Sequence, residues 1–262
     1  METSTGLRRN LLDKFYTKPE IAKEIIEKLK QNVFIDIQDI IIEPSAGNGS
    51  FIPFIEKLKG IHLFYDILPE HPQIVSQDFL KLKIRCETGI HIIGNPPFGR
   101  QSSLAIKFIK KSCEMATSVS FILPRSFKKE SLKRHFQSHF HCIFEWDLPK
   151  NSFLINEKEH NVPCVFQIWV KKAEMRQIVP KMEPIDFEFV KKKEAPDISF
   201  RRVGVNAGTI SHEIENKSEQ THYFIKFKNK NLLEKFQNLP FDFENTVGPK
   251  SISKQELIQA LS

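Results

Sequence analysis

Residues 40–51 constrain the fold of this chain more than any other segment. The apolar run Ile40-Ile41-Ile42-Glu43 leads into Pro44-Ser45-Ala46-Gly47-Asn48-Gly49-Ser50, and a helical pattern begins near Phe51. Glycines permit positive φ angles and a close backbone approach to a ligand, while Ser45 and Ser50 can cap or bond locally. The pattern predicts a buried strand, a tight turn and a helix start, an arrangement that binds nucleotides in α/β proteins. It lacks the third glycine of the dinucleotide fingerprint and the Gly-Lys-Ser/Thr of a P-loop, so neither of those sites is supported.

Short apolar runs alternate with helical patterns through residues 19–170, which predicts βαβ units and a mostly parallel sheet. The last two strands are joined by fifteen mostly polar residues, which favours an antiparallel hairpin at the end of the sheet. Ligands of such sheets bind at the carboxyl ends of the strands. The predicted strands are 40–43, 61–65, 90–93, 119–123, 142–146 and 162–170, and the predicted helices are 19–30, 51–59, 103–115 and 128–139.

The tetrapeptide Asn95-Pro96-Pro97-Phe98 follows the apolar run at residues 90–93. Each proline removes a backbone donor and holds φ near −65°, so the neighbouring carbonyls cannot join a regular ladder. The Asn95 side chain adds an acceptor, and the Phe98 ring offers a face for a flat heterocycle. The motif therefore predicts a pocket for a planar amino group; the structural alternative is a surface turn.

These strings resemble those of amino-methyltransferases that use S-adenosylmethionine. In that group a Glu-Pro-x-x-Gly-x-Gly-x-Phe loop surrounds the methionine part of the cofactor, and an Asn-Pro-Pro-Phe motif follows in the same domain. Phe15-Tyr16-Thr17-Lys18-Pro19-Glu20 looks like the N-terminal cofactor motif of the adenine-N6 enzymes, and the order of the parts is that of their γ-type DNA methyltransferases. The resemblance covers roughly residues 13–170, with matches at the motifs only. It implies a class I methyltransferase fold.

The resemblance also assigns roles to individual residues. The N-terminal motif, with Tyr16 and Thr17, would contact the amino-acid end of the cofactor. Asp66, at the end of the second strand, would bind the ribose hydroxyls; Asp78 would accept from the adenine amino group, and Phe79 would cover its face. Their structural alternatives are a turn residue, a helix cap and a core ring, respectively. The other implied cofactor residues are Glu43, Pro44, Ser45, Gly47 and Gly49.

The net charge of +7 is unevenly distributed. Residues 100–134 contain nine basic and two acidic side chains, an excess equal to that of the whole chain. Because this basic strip starts beside the predicted pocket, we expect it to attract the phosphates of a nucleic acid, DNA or RNA. The alternative is the solvated face of a helix. The strip includes Arg100, Lys107, Arg125, Lys128 and Lys129.

Composition and length agree with a globular enzyme. The chain has 262 residues, 40% of them hydrophobic and 27% charged. No apolar run approaches the length of a membrane span and the N-terminus has no hydrophobic signal core, so we expect an intracellular protein, in cytoplasm or nucleus. The four cysteines lack metal-ligand spacing and should be reduced and mostly buried, and the histidines predict no metal site.

The pattern changes after Lys172, where prolines and the Lys191-Lys192-Lys193 cluster precede Phe200-Arg201-Arg202. We expect a catalytic domain at residues 1–172 and a small β-rich domain at 173–262 that recognises the target, with Arg201 and Arg202 contacting nucleic acid. This extension is short for a domain that reads DNA sequence.

The expected reaction is transfer of a methyl group from S-adenosylmethionine to N6 of a flipped-out adenine, with DNA slightly favoured over RNA. Asn95 and the Pro96 carbonyl would accept the two amino hydrogens, and direct in-line transfer would need no general base. Phe98 would form one face of the base pocket and Phe153 the other, unless Phe153 is a core residue. The alternatives are an RNA adenine methyltransferase, a glutamine-N5 methyltransferase acting on protein, and a non-catalytic subunit that binds nucleic acid.

Overall fold

The computed structural model describes residues 15–177, 180–229, 231–239, 241 and 250–261. The chain divides into two compact units, the first ending at residue 178 and the second beginning at 179. The helices and strands of the first unit are, in order, β1 (Tyr16–Thr17), α1 (Pro19–Asn32), β2 (Ile40–Glu43), α2 (Ile52–Ile55), β3 (Ile61–Asp66), β4 (Val75–Ser76), β5 (Ile90–Gly94), α3 (Ser103–Met115), β6 (Ser118–Pro124), α4 (Glu130–Lys133), β7 (Phe140–Asp147), β8 (Phe153–Ile155), β9 (Lys158–His160) and β10 (Cys164–Lys171).

A seven-stranded sheet forms the centre of the first unit, in the order β4-β3-β2-β5-β6-β10-β7. The pairs from β4 to β6 are parallel, and β10 lies antiparallel between β6 and β7. The predicted terminal hairpin is therefore present. The chain proceeds from β2 toward β4 and then returns to β5 on the other side of β2. The strand order thus reverses between β2 and β5, which is where open α/β sheets bind their ligands.

Alternating residues of the central strands pack into two separate cores on the two faces of this sheet. Ile41 and Ile93 join the core that includes α1 and α2, whereas Ile42 and Ile92 join the core that includes α3. Residues on both faces are apolar because helices cover both faces, as expected for parallel strands. The apolar positions predicted for α1, from Ile21 to Leu29, are all buried.

Two predicted helices are much shorter than expected. Instead of 51–59, α2 spans only Ile52–Ile55, because the chain must turn at Gly60 (φ +106°) to enter β3. The predicted helix 128–139 is a 3₁₀ turn at Arg125–Lys128 followed by α4 at Glu130–Lys133. Lys129 lies between them in an extended conformation (φ −76°, ψ 136°), which breaks the helical hydrogen bonding.

A second, three-stranded sheet was not predicted. Its order is β1-β8-β9, so the N-terminal motif pairs with the segment between β7 and β10. The sequence analysis treated that segment as a loop. Its turn is tight, with positive φ at Asn156 (47°) and Glu157 (63°).

The second unit contains a four-stranded antiparallel sheet in the order β11-β14-β12-β13, with two helices. Its elements are β11 (Phe187–Val190), β12 (Ile198–Arg201), β13 (Ile210–Ser211), β14 (His222–Phe227), α5 (Leu232–Gln237) and α6 (Lys254–Leu261). The unit is β-rich, as predicted. The units divide slightly beyond the expected boundary of 172/173, because Arg176 donates to the carbonyl oxygens of Lys133, Phe136, Gln137 and Phe140 in the first unit.

Candidate active site

The two principal sequence motifs meet at the carboxyl ends of β2 and β5. The glycine turn follows β2, and Asn95-Pro96-Pro97-Phe98 follows β5, the strand directly beside it. A hydrogen bond joins them, since the Ser45 hydroxyl donates to the Asn95 carbonyl oxygen at 3.1 Å. The Asn95 carbonyl, which cannot join a regular ladder, therefore bonds to the glycine turn.

The glycine turn favours glycine at two positions. Gly47 and Gly49 have φ angles of +54° and +83°. A Cβ atom on Gly49 would lie 2.9 Å from Ile52 Cδ1 and 3.1 Å from the ring of His71, and one on Gly47 would lie 3.3 Å from the ring of Tyr16. Because these glycines have no Cβ atom, neighbouring side chains or a ligand can approach the backbone closely.

Asp66 closes the other side of the turn. Its carboxylate accepts from the N–H of Gly47 at 2.8 Å and from the N–H of Leu68 at 2.8 Å. Asp66 therefore acts in part as a turn residue, which was the structural alternative to its predicted role in binding ribose. Each carboxylate oxygen has a further lone pair, so the side chain can also accept from hydroxyl groups.

Tyr16 and Glu70 form a contact across the glycine turn that the sequence analysis missed. The Tyr16 hydroxyl donates to both Glu70 oxygens, at 2.8 and 2.7 Å, and the N–H of Glu70 donates to the carbonyl of Gly47. Burial and the Glu70 carboxylate raise the pKa of Tyr16 above its usual range. Glu70 lies four positions after Asp66, and no local pattern marks it.

Glu43 and Thr17 present buried acceptors to this region. Glu43 is 2% exposed and Thr17 3% exposed, and in the described part of the chain nothing bonds to Glu43 Oε2 or Thr17 Oγ1. Burial, followed by the charge of Asp66, raises the pKa of Glu43 to about 8. Glu43 lies beneath the second motif, since a Cβ on Gly94 would be 3.2 Å from Glu43 Cγ.

Asn95 is held so that its amide oxygen is free to accept. Its Nδ2 donates to the backbone carbonyl of Phe15 at 3.0 Å, whereas Oδ1 is buried and has no partner among residues that the structure describes. No donor in those residues bonds to the Pro96 carbonyl either. Phe15 belongs to the N-terminal motif, but the sequence predicts no role for it. Only the tertiary structure brings it to Asn95, eighty positions away.

The rest of the second motif leads into α3. Pro96 is buried, Pro97 is exposed, and the half-buried Phe98 packs against both cores. The Phe98 carbonyl accepts from the N–H groups of Leu104 and Ala105. Between them the chain has positive φ at Gly99, Gln101 and Ser102. Non-glycine residues in that region are strained, and such strain is frequent beside functional sites.

Three of the predicted ligand residues have structural roles here. Asp78 caps the 3₁₀ turn at Phe79–Lys81 by accepting from the N–H of Leu80 at 3.0 Å. The Phe79 ring is 1% exposed and packs against Phe108, with ring centroids 5.2 Å apart. Phe153 is fully buried and contacts Phe15 edge-to-face. Neither phenylalanine has an exposed ring face, so both are core residues in this structure.

The basic strip is only partly available to a polyanion. Arg125 and Lys128 share the carboxylate of Asp147, at 3.5 and 3.0 Å. Lys129 is half-buried, while Arg100 and Lys107 are exposed. In the second unit, Arg201 Nε donates to the Val203 carbonyl at 3.1 Å. Arg202 lies over the ring of Tyr223, 5.2 Å from its centroid.

Neither a metal cluster nor a membrane helix is found among the described residues. No three histidine, cysteine, aspartate or glutamate side chains group as metal ligands would. No helix in the same residues is long and apolar enough to cross a bilayer. The four cysteines are free thiols; Cys113 and Cys164 are buried, whereas Cys86 is exposed.

Comparison with known proteins identifies the fold. No family model and no curated protein matches the sequence. A Pyrococcus horikoshii protein provisionally described as an RNA methyltransferase aligns with a TM-score of 0.50 and 17% identity, over 64% of this chain and 92% of that chain. The 23S rRNA methyltransferase ErmE aligns with a TM-score of 0.44 and 14% identity, over 62% and 71%. Magnesium protoporphyrin IX methyltransferase from Synechocystis, solved with S-adenosylmethionine bound, gives 0.42 and 11%, over 59% and 79%.

The alignment with the Pyrococcus protein and the strand order of the central sheet indicate the same fold. The first unit has the class I methyltransferase fold, with a mostly parallel sheet that ends in an antiparallel hairpin. The predicted fold class is therefore confirmed, including the separate antiparallel sheet of the second unit.

Proposed function

We propose that this protein, whose first unit has the class I methyltransferase fold, methylates N6 of an adenine in nucleic acid with S-adenosylmethionine as the methyl donor. The observation that carries the proposal is the Asn95 amide, whose nitrogen is held by Phe15 and whose buried oxygen has no partner in the described residues. An acceptor that is buried without a donor costs about 1–3 kcal/mol. An amino group entering this pocket would recover that energy.

The residues around the glycine turn fit the proposed cofactor. Glu43 and Thr17 offer buried acceptors for the methionine end, and Asp66 offers a carboxylate for the ribose hydroxyls. The glycines leave the backbone open to close contact. When bound, S-adenosylmethionine supplies an electrophilic methyl group on a sulfonium. The roles of Asp78 and Phe79 as adenine ligands remain part of this proposal, although both are engaged in structural contacts.

Positioning is the main contribution that we assign to the protein. Asn95 Oδ1 and the Pro96 carbonyl accept the two hydrogens of the target amino group, so that its lone pair turns away from the aromatic ring and toward the methyl donor. Phe98 contacts the base. Fixed acceptors of this kind need no reorganisation during the reaction, and this lowers the barrier without a general base. The N–CH3 bond would form as the S–CH3 bond breaks, and the methylated nitrogen would then release one proton to solvent.

A labelling experiment tests the proposal directly. The protein is incubated with tritiated S-adenosylmethionine and separate pools of DNA, RNA and protein, and the labelled product is digested and identified. N6-methyladenine in either nucleic acid supports the proposal. Label in glutamine of the protein pool would favour the glutamine-N5 alternative, and failure to bind S-adenosylmethionine in calorimetry would favour a non-catalytic subunit.

The Asn95→Ala variant isolates the acceptor. We expect it to lose nearly all turnover, since the Asn95 Oδ1 acceptor disappears and the Pro96 carbonyl alone cannot orient the amino group, while its affinity for S-adenosylmethionine stays within about twofold of wild type. Asn216→Ala, which changes an exposed asparagine of the second unit that donates to Glu213, is the matched control. Equal methyl transfer by Asn95→Ala and wild type would contradict the assignment.

A further inference from the structure

Glu43 is a carboxyl group that the fold buries without a cation. It ends β2, its side chain is 2% exposed, and Oε2 has no partner in the residues that the structure describes. No basic side chain of those residues forms an ion pair with Glu43, and Lys18, the cation of the N-terminal motif, is paired with Glu159. A carboxylate in such surroundings would lose its hydration without compensation, which favours the neutral acid.

The ionisable groups around Glu43 favour the neutral acid as well. Asp66 ends β3, the strand directly beside β2, and two backbone N–H groups stabilise its carboxylate. Burial, followed by the charge of Asp66, raises the pKa of Glu43 to about 8. Tyr16 of β1 donates its hydroxyl to the Glu70 carboxylate, so this pair brings no positive charge. On the side of β5, the neighbour of the Glu43 side chain is Gly94, which carries no charge either.

The cofactor would bring the missing positive charge. S-adenosylmethionine has a sulfonium, an α-ammonium and a carboxylate, and its methionine end is the part that the turn after β2 would hold. A cation close to a buried carboxyl group stabilises the ionised form strongly, because the surroundings screen the charges weakly. Binding of the ammonium and loss of the Glu43 proton are then thermodynamically linked.

We propose that Glu43 is a proton-linked charge switch of the cofactor site, which is a neutral acid in the free protein and gives its proton to solvent when the α-ammonium of S-adenosylmethionine binds. The charges balance, because one cation enters the site as one proton leaves it. The inference rests on the cofactor assignment in the proposed function. It goes beyond that assignment by stating the protonation state of Glu43 and the pH dependence of binding.

The linkage has a defined sign. The free protein keeps the Glu43 proton up to a pH of about 8, whereas the complex has lost it at lower pH. The affinity for S-adenosylmethionine should therefore rise with pH below this value and level off above it. Between pH 5.5 and 7.0 (about the range in which the α-amino group of the ligand is charged), we expect its Kd to fall roughly 10- to 30-fold.

Titration calorimetry of the full chain with S-adenosylmethionine tests this inference. Titrations near pH 6.5 in phosphate and in imidazole, buffers with different heats of ionisation, count the protons released. Wild type should release about one proton more than Glu43→Gln, and the Kd of Glu43→Gln should depend much less on pH.

Two related ligands identify the charge that displaces the proton, and they need no variant. S-adenosylhomocysteine lacks the sulfonium charge but keeps the α-ammonium, so its binding to wild type should release the same proton. 5′-Methylthioadenosine lacks the whole amino-acid part and should release none. The same proton release with 5′-methylthioadenosine, or none with S-adenosylhomocysteine, would overturn the inference.

Glu87→Gln is the matched control. Glu87 is exposed and precedes β5, at the end of the strands opposite to the site, so this variant should release as many protons as wild type. If Glu43→Gln also releases as many protons as wild type, Glu43 is not their source and the inference is wrong. No binding of S-adenosylmethionine by wild type would instead overturn the cofactor assignment. Binding with proton release but without methylation of nucleic acid would overturn only the proposed target.

Discussion

At the residue scale, three buried side-chain oxygens at the site, Thr17 Oγ1, Glu43 Oε2 and Asn95 Oδ1, have no partner in the part of the chain that the structure describes. Ser112 Oγ and Ser120 Oγ, which belong to neither motif, lack a partner there as well. Most buried polar groups in folded proteins are paired, so unpaired ones need an explanation. All three belong to motifs that the sequence assigned to cofactor or target. A ligand with donors toward these oxygens explains them together.

Glu43 should make the free protein less stable as the pH rises. Its pKa is raised to about 8, mainly by burial, whereas an unfolded glutamate has a pKa of about 4.3. Between these values the folded state holds a proton that the unfolded state has released. The free energy of unfolding should therefore fall by about 1.4 kcal/mol per pH unit relative to Glu43→Gln.

Urea unfolding of wild type and Glu43→Gln at pH 5.5 and 7.5, without ligand, checks this expectation. The stability of Glu43→Gln relative to wild type should increase at the higher pH, because the amide carries no charge to bury. A difference that stays constant with pH would mean that Glu43 is ionised in the folded protein at both values.

At the element scale, a buried cluster joins the amino ends of three central strands. The His91 ring, at the start of β5, contacts the Asp39 carboxylate at 3.1 Å and the Ser118 hydroxyl at 2.7 Å. Asp39, which precedes β2, also accepts from the N–H groups of Asp36 and Gly89. Burial opposes its ionisation, but these bonds and His91 hold the pKa of Asp39 below its usual value. The cluster lies at the opposite end of the strands from the site.

Asp39→Ala should lower the free energy of unfolding by about 3 kcal/mol, since it leaves Nε2 of the buried His91 and the half-buried N–H of Gly89 without an acceptor. Urea unfolding followed by tryptophan fluorescence measures this change. Both tryptophans, Trp146 and Trp169, lie in the seven-stranded sheet, so the signal reports on the first unit.

Asp36→Ala is the control for this prediction, because Asp36 is exposed and, among the residues that the structure describes, its side chain accepts only from the N–H of Gln38. Its effect should be within about 0.5 kcal/mol of zero. Similar losses in the two variants would contradict a specific role for Asp39.

At the scale of the whole molecule, the affinity of the basic strip for nucleic acid should depend on the salt concentration. Arg100 and Lys107 are exposed beside the second motif, whereas Lys128 is paired with Asp147. Only a cation that is free to meet a phosphate contributes fully to counterion release. The exposed members should therefore dominate binding to nucleic acid.

The double variant Arg100→Gln/Lys107→Gln should reduce the slope of log K against log salt by roughly 1.4 to 1.8, the value for two lost phosphate contacts. Binding titrations between 50 and 200 mM salt (about the range over which such slopes are resolved) provide the measurement. Lys128→Gln, the paired control, should change the slope by much less. If Lys128→Gln changes the slope as much as each substitution of the double variant, Asp147 does not neutralise Lys128.

The central sheet was predictable because its signals are local. Apolar runs such as residues 40–43 and 90–93 became buried strands, and α3 has the predicted bounds. The glycine turn was predictable because φ angles near +54° and +83° are unfavourable for other residues. The short helices α2 and α4 were overestimated, since the turns that end them are imposed by the path of the chain.

The sequence by itself determined the fold class and the positions of the glycine turn and the Asn95–Phe98 motif after their strands, because hydrophobic period and backbone conformation depend on near neighbours in the chain. Only the tertiary structure decided which of those residues are open to a ligand. Phe79 and Phe153 could each have faced a ligand or the core, and packing buried both. Phe15 and Glu70 contact Asn95 and Tyr16, respectively, from distant segments of the chain. Spacing carries no information about such contacts, since they arise only when the sheets assemble.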